Sequence, residues 1–308
     1  MRTKVGLFIM WGCYLMKSNK YDENRIKKPT TLQEQVDIFR SRNLHIENEE
    51  RAIEILSRIN YYRFSAYTLT LKQNDYFMDS TTFEDVYRLY EFDRKLRSLL
   101  VANLEVIEVA FRAQIALFHA HKYGATGYLE TENFINPSYH EEMVKQLKRE
   151  IHRSKEVFVY HHKNKYEGVF PVWVAIEVTS FSLLSKIYSN LKNRDKTIIA
   201  KNNYHIPHEY VKNWLYSLST FRNICAHYGR IYNRRLPIQL KVDGNDRIKG
   251  VEGNSIFAAI FIMGKLMIDK VEWASFVTSL SVLIEEYEVV DLERLGFPLV
   301  WEELLRAL

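Results

Sequence analysis

The spacing of apolar residues predicts one long core helix between residues 82 and 122. This stretch contains neither proline nor glycine. Its apolar residues recur at steps of three or four positions, the spacing that keeps side chains on one face of an α-helix. One longer gap in the series spans Asp93.

Shorter helices are predicted on both sides of this element. Thr31 and Glu34 fit the S/T-x-x-E pattern of a capping box and start a helix to about residue 42, which pairs with a helix at 48–59 as a helical hairpin. A turn signal at 243–246 is interpreted as part of a hairpin between residues 240 and 251. The remaining helices are predicted at 61–71, 137–163, 171–191, 207–234 (here called the motif helix), 255–267, 271–288 and from 298 onwards.

Composition favours helices over strands. Hydrophobic residues make up 47% of the 308 residues and aromatic residues 14%, which excludes a disordered chain. Only 11 glycines and 6 prolines leave few positions for the turns of an all-β protein. We therefore predict an all-α fold with an N-terminal extension at 1–28, a helical domain at 29–240 and a C-terminal helical extension at 241–308 packed on it.

Charge and cysteine content limit which partners and which cellular compartment the sequence is compatible with. The net charge of +5 and the isoelectric point near 8.9 are compatible with nucleic acid, but are too low for a nonspecific DNA-packaging protein. Cys13 and Cys225 lie far apart in apolar surroundings, which favours a reducing compartment without a disulfide framework or a zinc cluster. We expect a cytoplasmic protein with no membrane partner.

An apolar run at residues 5–16 follows Arg2 and Lys4. This run is too short to cross a bilayer as a helix and lacks a clear small-residue cleavage site, although a signal peptide stays an alternative. Because Met16 begins a segment that resembles an ordinary bacterial start, we favour a flexible upstream extension or a misassigned start that adds nothing to the fold.

The most informative chemistry lies near the end of the motif helix. Asn223, His227, Arg230 and Arg234 are spaced i, i+4, i+7 and i+11, so a regular helix puts them on one stripe, with Arg222 one residue off it. A neutral imidazole accepts a proton near pH 7, and guanidinium groups bind phosphate oxygens through a planar fork of donors. The combination indicates a phosphodiester substrate and suits the cleavage of RNA.

Residues 222–227 (RNICAH) resemble the R-(polar)-x-x-x-H motif of HEPN ribonucleases, and residues 218–234 resemble the Abi family of bacterial abortive-infection proteins. At Tyr228 many relatives carry a second histidine, so His227 is the only histidine of this site. The resemblance covers roughly residues 29–234. Further segments occur in the family's order and at its spacing, namely 59–67 (INYYRFSAY), 89–97 (LYEFDRKLR), 107–112 (IEVAFR), 173–177 (WVAIE) and 180–182 (SFS).

The resemblance implies a HEPN-like helical bundle and a metal-independent endoribonuclease that acts as a toxin in phage defence, without a cofactor. In that reaction His227 removes the proton of an RNA 2′-hydroxyl, Arg222 stabilises charge on the phosphorane, and a 2′,3′-cyclic phosphate results. Asn223 is expected to position the phosphate or the imidazole. The flanking RNA backbone is expected to contact Arg230, Arg234 and Arg235.

Two other interpretations stay open. The protein could bind RNA without cutting it, as the partner of a noncoding RNA or as one component of a toxin–antitoxin pair. It could also be a helical interaction protein without a nucleic-acid partner, if the arginine stripe is an ordinary solvated face. The intact pair of Arg222 and His227 favours catalysis, whereas the single histidine leaves room for a binding role.

The spacing of Arg222 and His227 favours a site shared between two protomers. Side chains five residues apart on a regular helix diverge by about 140°, so one protomer does not aim both at one phosphate. A bend at Gly229 or, better, a twofold-related partner could bring them together, and the HEPN proteins that this chain resembles build composite sites of this kind. We expect a homodimer.

A second polar cluster on the long helix consists of Glu105, Glu108 and Arg112, at i, i+3 and i+7. One interpretation is an intrahelical pair of Glu108 with Arg112, worth a few tenths of a kcal/mol. In the other, this face packs against the motif helix and its carboxylates orient Arg222. The sequence does not separate the two.

Several histidines fall outside the motif. His119, His121, His152, His161 and His162 have no carboxylate or cysteine beside them at the spacing of metal ligands. No metal site is predicted, and surface positions are expected for these histidines.

Overall fold

Helices make up about two thirds of the part of the chain that the structure, a computed structural model, describes, which is residues 28–308. The extension predicted at 1–28 lies outside this part, apart from Lys28. The all-α class is confirmed. The described helices are α1 Leu32–Arg40, α2 Glu49–Arg58, α3 Tyr61–Ser65, α4 Phe83–Tyr123, α5 Pro137–Arg153, α6 Val157–Lys165, α7 Val172–Ala175, α8 Phe181–Asn190, α9 Asn193–Tyr204, α10 His208–Ala226, α11 Gly244–Ile248, α12 Ile256–Leu266, α13 Lys270–Glu286 and α14 Trp301–Arg306.

The long helix α4 is the central element, and its prediction is confirmed. Its 41 residues extend for about 60 Å at 1.5 Å per residue. Thr82 and Asp85 cap its start reciprocally, because each side chain accepts a hydrogen bond from the other's backbone N–H. The helices α7, α8, α10, α12 and α13 all pack against it. Residues from both halves of the chain therefore meet along one helix.

The predicted N-terminal hairpin is present as α1 and α2. The capping box of Thr31 and Glu34 forms, with the Glu34 carboxylate accepting the Thr31 N–H at 2.6 Å. Phe39 of α1 is fully buried against Phe64 and Phe83. Burying such a side chain contributes about 1.5–3 kcal/mol. The hairpin is thereby fixed to the start of α4.

The segment after α2 is less helical than predicted. The helix predicted at 61–71 ends at Ser65, and the chain then forms a hairpin of β1 (Lys72–Gln73) and β2 (Tyr76–Phe77). Asn74 and Asp75 have φ angles of 50° and 68°. Two successive left-handed residues are the geometry of a type I′ turn, which asparagine and aspartate tolerate better than most residues.

Two predicted helices are each divided. The helix predicted at 137–163 is interrupted between α5 and α6, and the apolar helix predicted at 171–191 breaks between α7 and α8. The second break is stabilised from outside, since the Glu150 carboxylate accepts the N–H of Ser180, the N-cap of α8, at 2.9 Å. Apolar periodicity alone does not reveal such a break, because part of its stabilisation comes from a side chain of another helix.

The C-terminal helices pack on α4 and α10. α12 and α13 match the helices predicted at 255–267 and 271–288, and the hairpin predicted at 240–251 is wrong, because α11 forms there with Asp243 as its cap. Residues 256–264 of α12 are all buried. This helix is nevertheless short, and no helix within residues 28–308 combines the length and the apolar character that crossing a membrane requires.

Candidate active site at the end of the motif helix

The motif helix, α10, ends at Ala226 and not at residue 234. The N–H of Gly229 donates to the carbonyl of Ile224 at 2.8 Å and the N–H of Tyr228 to that of Cys225 at 3.1 Å, the two bonds of a Schellman motif. Tyr228 has the left-handed φ of 60° that glycine usually provides in this motif. The predicted continuation of the helix to residue 234 is wrong, because Tyr228 adopts the left-handed conformation that ends the helix. The glycine lies one position after this left-handed residue, at Gly229.

Because α10 ends at Ala226, the residues of the predicted polar stripe do not lie on one helix face. Asn223 is half-buried within α10, and His227 is the exposed C-cap residue. Arg230 and Arg234 belong to the loop that follows. Residues beyond a Schellman turn no longer advance by about 100° each. The common stripe inferred from the spacing is therefore wrong.

Arg222 faces the long helix. Its Nη2 lies 3.6 Å from Oε2 of Glu108, a carboxylate whose side chain is 5% exposed. Its Nη1 donates to Oδ1 of Asn223 at 3.3 Å, and Nδ2 of Asn223 donates to Oγ of Ser182 at 3.3 Å. These contacts join α4, α10 and α8. They hold the guanidinium beside Glu108 and Asn223.

Glu108 is shared by two arginines. Its Oε1 accepts Nη2 of Arg112 at 2.5 Å while its Oε2 faces Arg222. The intrahelical pair and the contact to Arg222, weighed as alternatives from the sequence, are thus both present. Burial raises the pKa of Glu108 above its ordinary value, and the two guanidinium groups oppose that shift. Glu105, one turn earlier, is exposed and lacks an ion pair with any described residue.

Arg222 lines a charged cleft of about 500 Å³ between α4, α5 and the loop before α8. His227 does not line this cleft. The guanidinium of Arg222 thus lines a cleft to which the imidazole of His227 does not contribute. Besides Arg222, the cleft is lined by charged residues of both signs, Glu108, Arg112, Glu150, Arg153, Glu156 and Glu177.

Two distant segments hold the turn that carries His227. Nη1 of Arg63 donates to the carbonyl of Tyr228 at 2.7 Å. Asp93 of α4 is fully buried. Its Oδ1 accepts hydrogen bonds from the N–H of Ile231 at 3.0 Å and from the N–H of Tyr232 at 2.7 Å, shortly after the turn. The exposed imidazole therefore lies on an anchored turn.

Asp93 accounts for the gap in the apolar pattern of α4. Its Oδ2 pairs with Arg97 and accepts the hydroxyl of Tyr67 at 2.7 Å. Four donors thus surround one buried carboxylate, which compensates for its desolvation. Arg63 and Asp93 were not predicted as site residues. The signal for Asp93 was a charge where the helical period required an apolar residue.

The segments that build this turn coincide with a family match. The sequence profile described as Abi-like protein matches residues 54–233, more than half of the chain. The chain belongs to the Abi-like protein family. That family is associated with abortive infection. No curated protein and no solved structure gave a significant match.

The three arginines expected at an RNA backbone have different environments in this Abi-like protein. Arg230 is half-buried and donates to the carbonyl of Tyr232 at 2.9 Å. Arg235 forms an ion pair with Glu252. Arg234 is exposed, and its Nη1 donates to the carbonyl of Arg230 at 3.3 Å. Arg234 is therefore exposed and, unlike Arg235, forms no ion pair with a described residue.

Two further titratable groups near α4 and α10 are buried. Burial raises the pKa of Cys225 to about 12, so this residue is a thiol at neutral pH. His119 is 1% exposed, and neither ring nitrogen has a hydrogen-bond partner among the described residues. The expected surface position of His119 is wrong because residue 119 continues the buried series of Phe111 and Ile115 on α4. Residues 28–308 contain no group of three or more His, Cys, Asp or Glu arranged to hold a metal ion.

Proposed function

We propose that this Abi-like protein is a metal-independent endoribonuclease of the HEPN type and acts as a toxin in abortive infection. One observation carries the proposal: Glu108 and Asn223 orient the Arg222 guanidinium, and the same helix presents an exposed imidazole, His227, at its anchored end. A base and a positive charge for the phosphorane are two groups that accelerate the attack of a 2′-hydroxyl on its phosphodiester.

In the proposed reaction the RNA supplies its own nucleophile. His227 takes the proton of the 2′-hydroxyl, whose oxygen attacks the adjacent phosphorus while the bond from phosphorus to the 5′-oxygen breaks. Arg222 stabilises the charge on the phosphorane, and Asn223 positions the phosphate or the imidazole. The leaving 5′-oxygen takes up a proton, so the products are a 2′,3′-cyclic phosphate and a 5′-hydroxyl. Imidazole and guanidinium supply the base and the charge, so the reaction needs no divalent metal.

A second copy of the chain completes the proposed site. Arg222 of one protomer lines a cleft that does not include its own His227. In a symmetric dimer the same patch serves both protomers, so a twofold axis near the ends of the motif helices brings one guanidinium towards the other imidazole. The active form in this proposal is a homodimer.

The arginines after the motif contact the flanking phosphates in this proposal. Each phosphate contact with a single strand contributes about 0.7 to the slope of log affinity against log salt. Arg234→Ala should therefore reduce the slope more than Arg230→Ala or Arg235→Ala, because Arg234 is exposed while Arg230 is half-buried and Arg235 is paired with Glu252.

The decisive experiment compares labelled RNA and DNA of one sequence, incubated with the purified protein in EDTA. The RNA should be cut to products with 2′,3′-cyclic phosphate ends, and the DNA should stay intact. His227→Ala and Arg222→Ala should each abolish cleavage and relieve growth arrest in bacteria without loss of helical circular dichroism. His121→Ala, which alters an exposed histidine elsewhere, is the matched control. Loss of activity on chelation, or equal cutting of DNA, would refute the mechanism.

A second candidate is an RNA-binding protein without cleavage, the partner of a noncoding RNA or one component of a toxin–antitoxin pair. It is favoured by the pairing of Arg222 with Glu108, which offsets part of the charge that a phosphorane needs. In that case RNA copurifies with the protein at low salt and is not cut. Toxicity is then unchanged in both His227→Ala and Arg222→Ala.

A further inference from the structure

A groove of about 910 Å³ lies between α5, α8 and α10. Its volume is near the upper end of the range of about 300–1,000 Å³ that is common for ligand sites. None of the residues proposed for catalysis lines it, since Arg222, Asn223 and His227 lie nearer the C-terminal end of α10 or just beyond it. The groove therefore has no role in the reaction as described.

Two tyrosines on different helices line the groove and are open to solvent. Tyr139 of α5 is 70% exposed and Tyr216 of α10 is 56% exposed. Aromatic faces that stay uncovered in a groove are suited to stack against planar ligands. Stacking of one nucleic-acid base on such a side chain changes affinity by about 5- to 150-fold.

The groove is also positively charged. Four lysines line it against two glutamates, Glu142 and Glu209. Lys196 is buried and donates to a backbone carbonyl, whereas the other three are exposed. The exposed lysines that a phosphate backbone can reach are Lys186, Lys212 and Lys241.

Lys241 is held at the groove by α10. Oδ1 of Asn213 accepts the N–H of Lys241 at 2.7 Å, and Nε1 of Trp214 donates to its carbonyl at 2.7 Å. The backbone at this lysine is thereby fixed beside the helix that carries Tyr216. A positive charge and an aromatic face are thus kept together.

The groove and the cleft of Arg222 both border α5. Nζ of Lys186 is 3.5 Å from Oε1 of Gln146, and Nε2 of Gln146 donates to Oε1 of Glu150 at 3.0 Å. Gln146 lines the groove and Glu150 lines the cleft. The groove and the cleft are therefore neighbours on α5, where Gln146 and Glu150 lie about one helical turn apart.

We propose that this groove binds a single-stranded stretch of the RNA substrate, with bases stacked on Tyr139 and Tyr216 and phosphates held by Lys186, Lys212 and Lys241. The proposal rests on the proposed action on RNA. Unpaired strands fit because their bases are free to stack, whereas the bases of a duplex face each other. The groove so assigned selects for unpaired RNA next to the scissile phosphate.

The test measures binding separately from cleavage. Full-length protein with His227→Ala binds a fluorescent single-stranded 12-nucleotide RNA, and affinity is read by anisotropy. Tyr139→Ala and Tyr216→Ala should each weaken binding at least fivefold, whereas Tyr139→Phe should stay within twofold because it keeps the ring. Tyr76→Ala, an exposed tyrosine on β2, is the matched control and should change nothing.

The lysines give a second readout. Lys212→Ala should lower the slope of log affinity against log salt by about 0.7, the value for one contact with a single strand, and Lys249→Ala, on the exposed surface after α11, should not. An RNA that carries 5-iodouridine should cross-link on irradiation to peptides containing Tyr139 or Tyr216.

The outcomes separate this proposal from the catalytic one. If the wild type cleaves RNA and the Tyr139→Ala/Tyr216→Ala double variant binds RNA with unchanged affinity, RNA binding in the groove is overturned and the proposed reaction is not affected. If the double variant loses RNA binding and the wild type does not cleave RNA, the result supports RNA binding in the groove and overturns the proposed reaction. Absence of RNA binding would overturn the groove, and capture of a fluorescent polyglutamate peptide instead would assign it to an acidic protein segment.

Discussion

Nη2 of Arg222 lies 3.6 Å from Oε2 of Glu108, although the two residues come from different helices and are more than a hundred positions apart. The other oxygen of Glu108 holds Arg112. A single buried carboxylate thus balances two guanidinium groups at the place where the 107–112 segment meets the motif. The arginine of the motif depends on α4 for its orientation, not only on its own helix.

Replacing Glu108 tests this dependence. Glu108→Gln should lower the free energy of unfolding by about 2–3 kcal/mol, less than the full cost of breaking a buried pair because both arginines are partly exposed. Glu105→Gln, one turn away and exposed, should change it by less than about 0.5 kcal/mol. Urea denaturation measures both. Equal effects of the two substitutions would show that Glu108 does not balance the arginines.

The end of the motif helix gives a second prediction. Tyr228→Gly should raise the free energy of unfolding by about 1 kcal/mol, because it relieves a left-handed tyrosine with φ of 60°. Gly229→Ala should lower it by about 1 kcal/mol, since the new Cβ would lie 3.0 Å from the carbonyl oxygen and from Cγ2 of Ile224. Thermal unfolding of both variants distinguishes this turn from a helix continued to residue 234, in which Tyr228→Gly would destabilise.

Local signals explain the elements that the sequence predicted well. The long helix follows from an apolar period with a single gap at Asp93, and the capping box of Thr31 and Glu34 is read from residues three positions apart. These features depend only on neighbours in the chain. The motif helix was extended too far because its stop depends on Tyr228 adopting a conformation that a sequence pattern assigns to glycine.

The missed features of the site depend on long-range contacts. Arg63 binds the carbonyl of Tyr228 from 165 residues away, and Asp93 binds the N–H of Ile231 across 138 residues. No spacing rule connects such positions. What the sequence did show was a gap in the apolar series of the long helix at Asp93, and that gap names neither a contact nor a partner.

Asp93 itself can be tested with a graded pair of substitutions. Asp93→Asn should lower the free energy of unfolding by about 3–5 kcal/mol, because it leaves Arg97 buried without a counterion. It also replaces one accepting oxygen of the carboxylate by an NH₂ group that faces hydrogen-bond donors. Tyr67→Phe removes one hydrogen bond to the same carboxylate and should cost about 1 kcal/mol. Chemical denaturation gives both values. Hydrogen exchange of the Ile231 and Tyr232 amides should accelerate more in Asp93→Asn than in Tyr67→Phe. Equal behaviour of the two variants would show that Asp93 does not hold these amides.

His119 makes the stability of the fold depend on pH. Burial lowers its pKa from 6.5 to about 4, so between these values the unfolded chain binds a proton that the folded protein does not. Stability is therefore lost as the pH falls through this window, by about 2 kcal/mol between pH 7 and pH 5. His119→Phe, which fits an apolar surrounding, should remove this part of the dependence, while His121→Gln on the surface should leave it unchanged. Urea midpoints at the two pH values decide the matter: a His119→Phe variant with undiminished acid sensitivity would contradict the assignment.

The shared site is tested by mixing inactive protomers. On a regular helix Arg222 and His227 diverge by about 140°, and only Arg222 lines the cleft against α4. If the arginine of one protomer serves the histidine of its partner, a dimer of one Arg222→Ala and one His227→Ala chain keeps one intact site of two. Such a dimer, purified through two different tags, should have about half of the wild-type activity. If each protomer is self-sufficient, the mixed dimer contains no intact site and stays inactive. A wild-type protein that is monomeric by light scattering at micromolar concentration and still cleaves RNA would likewise exclude a site built from two chains.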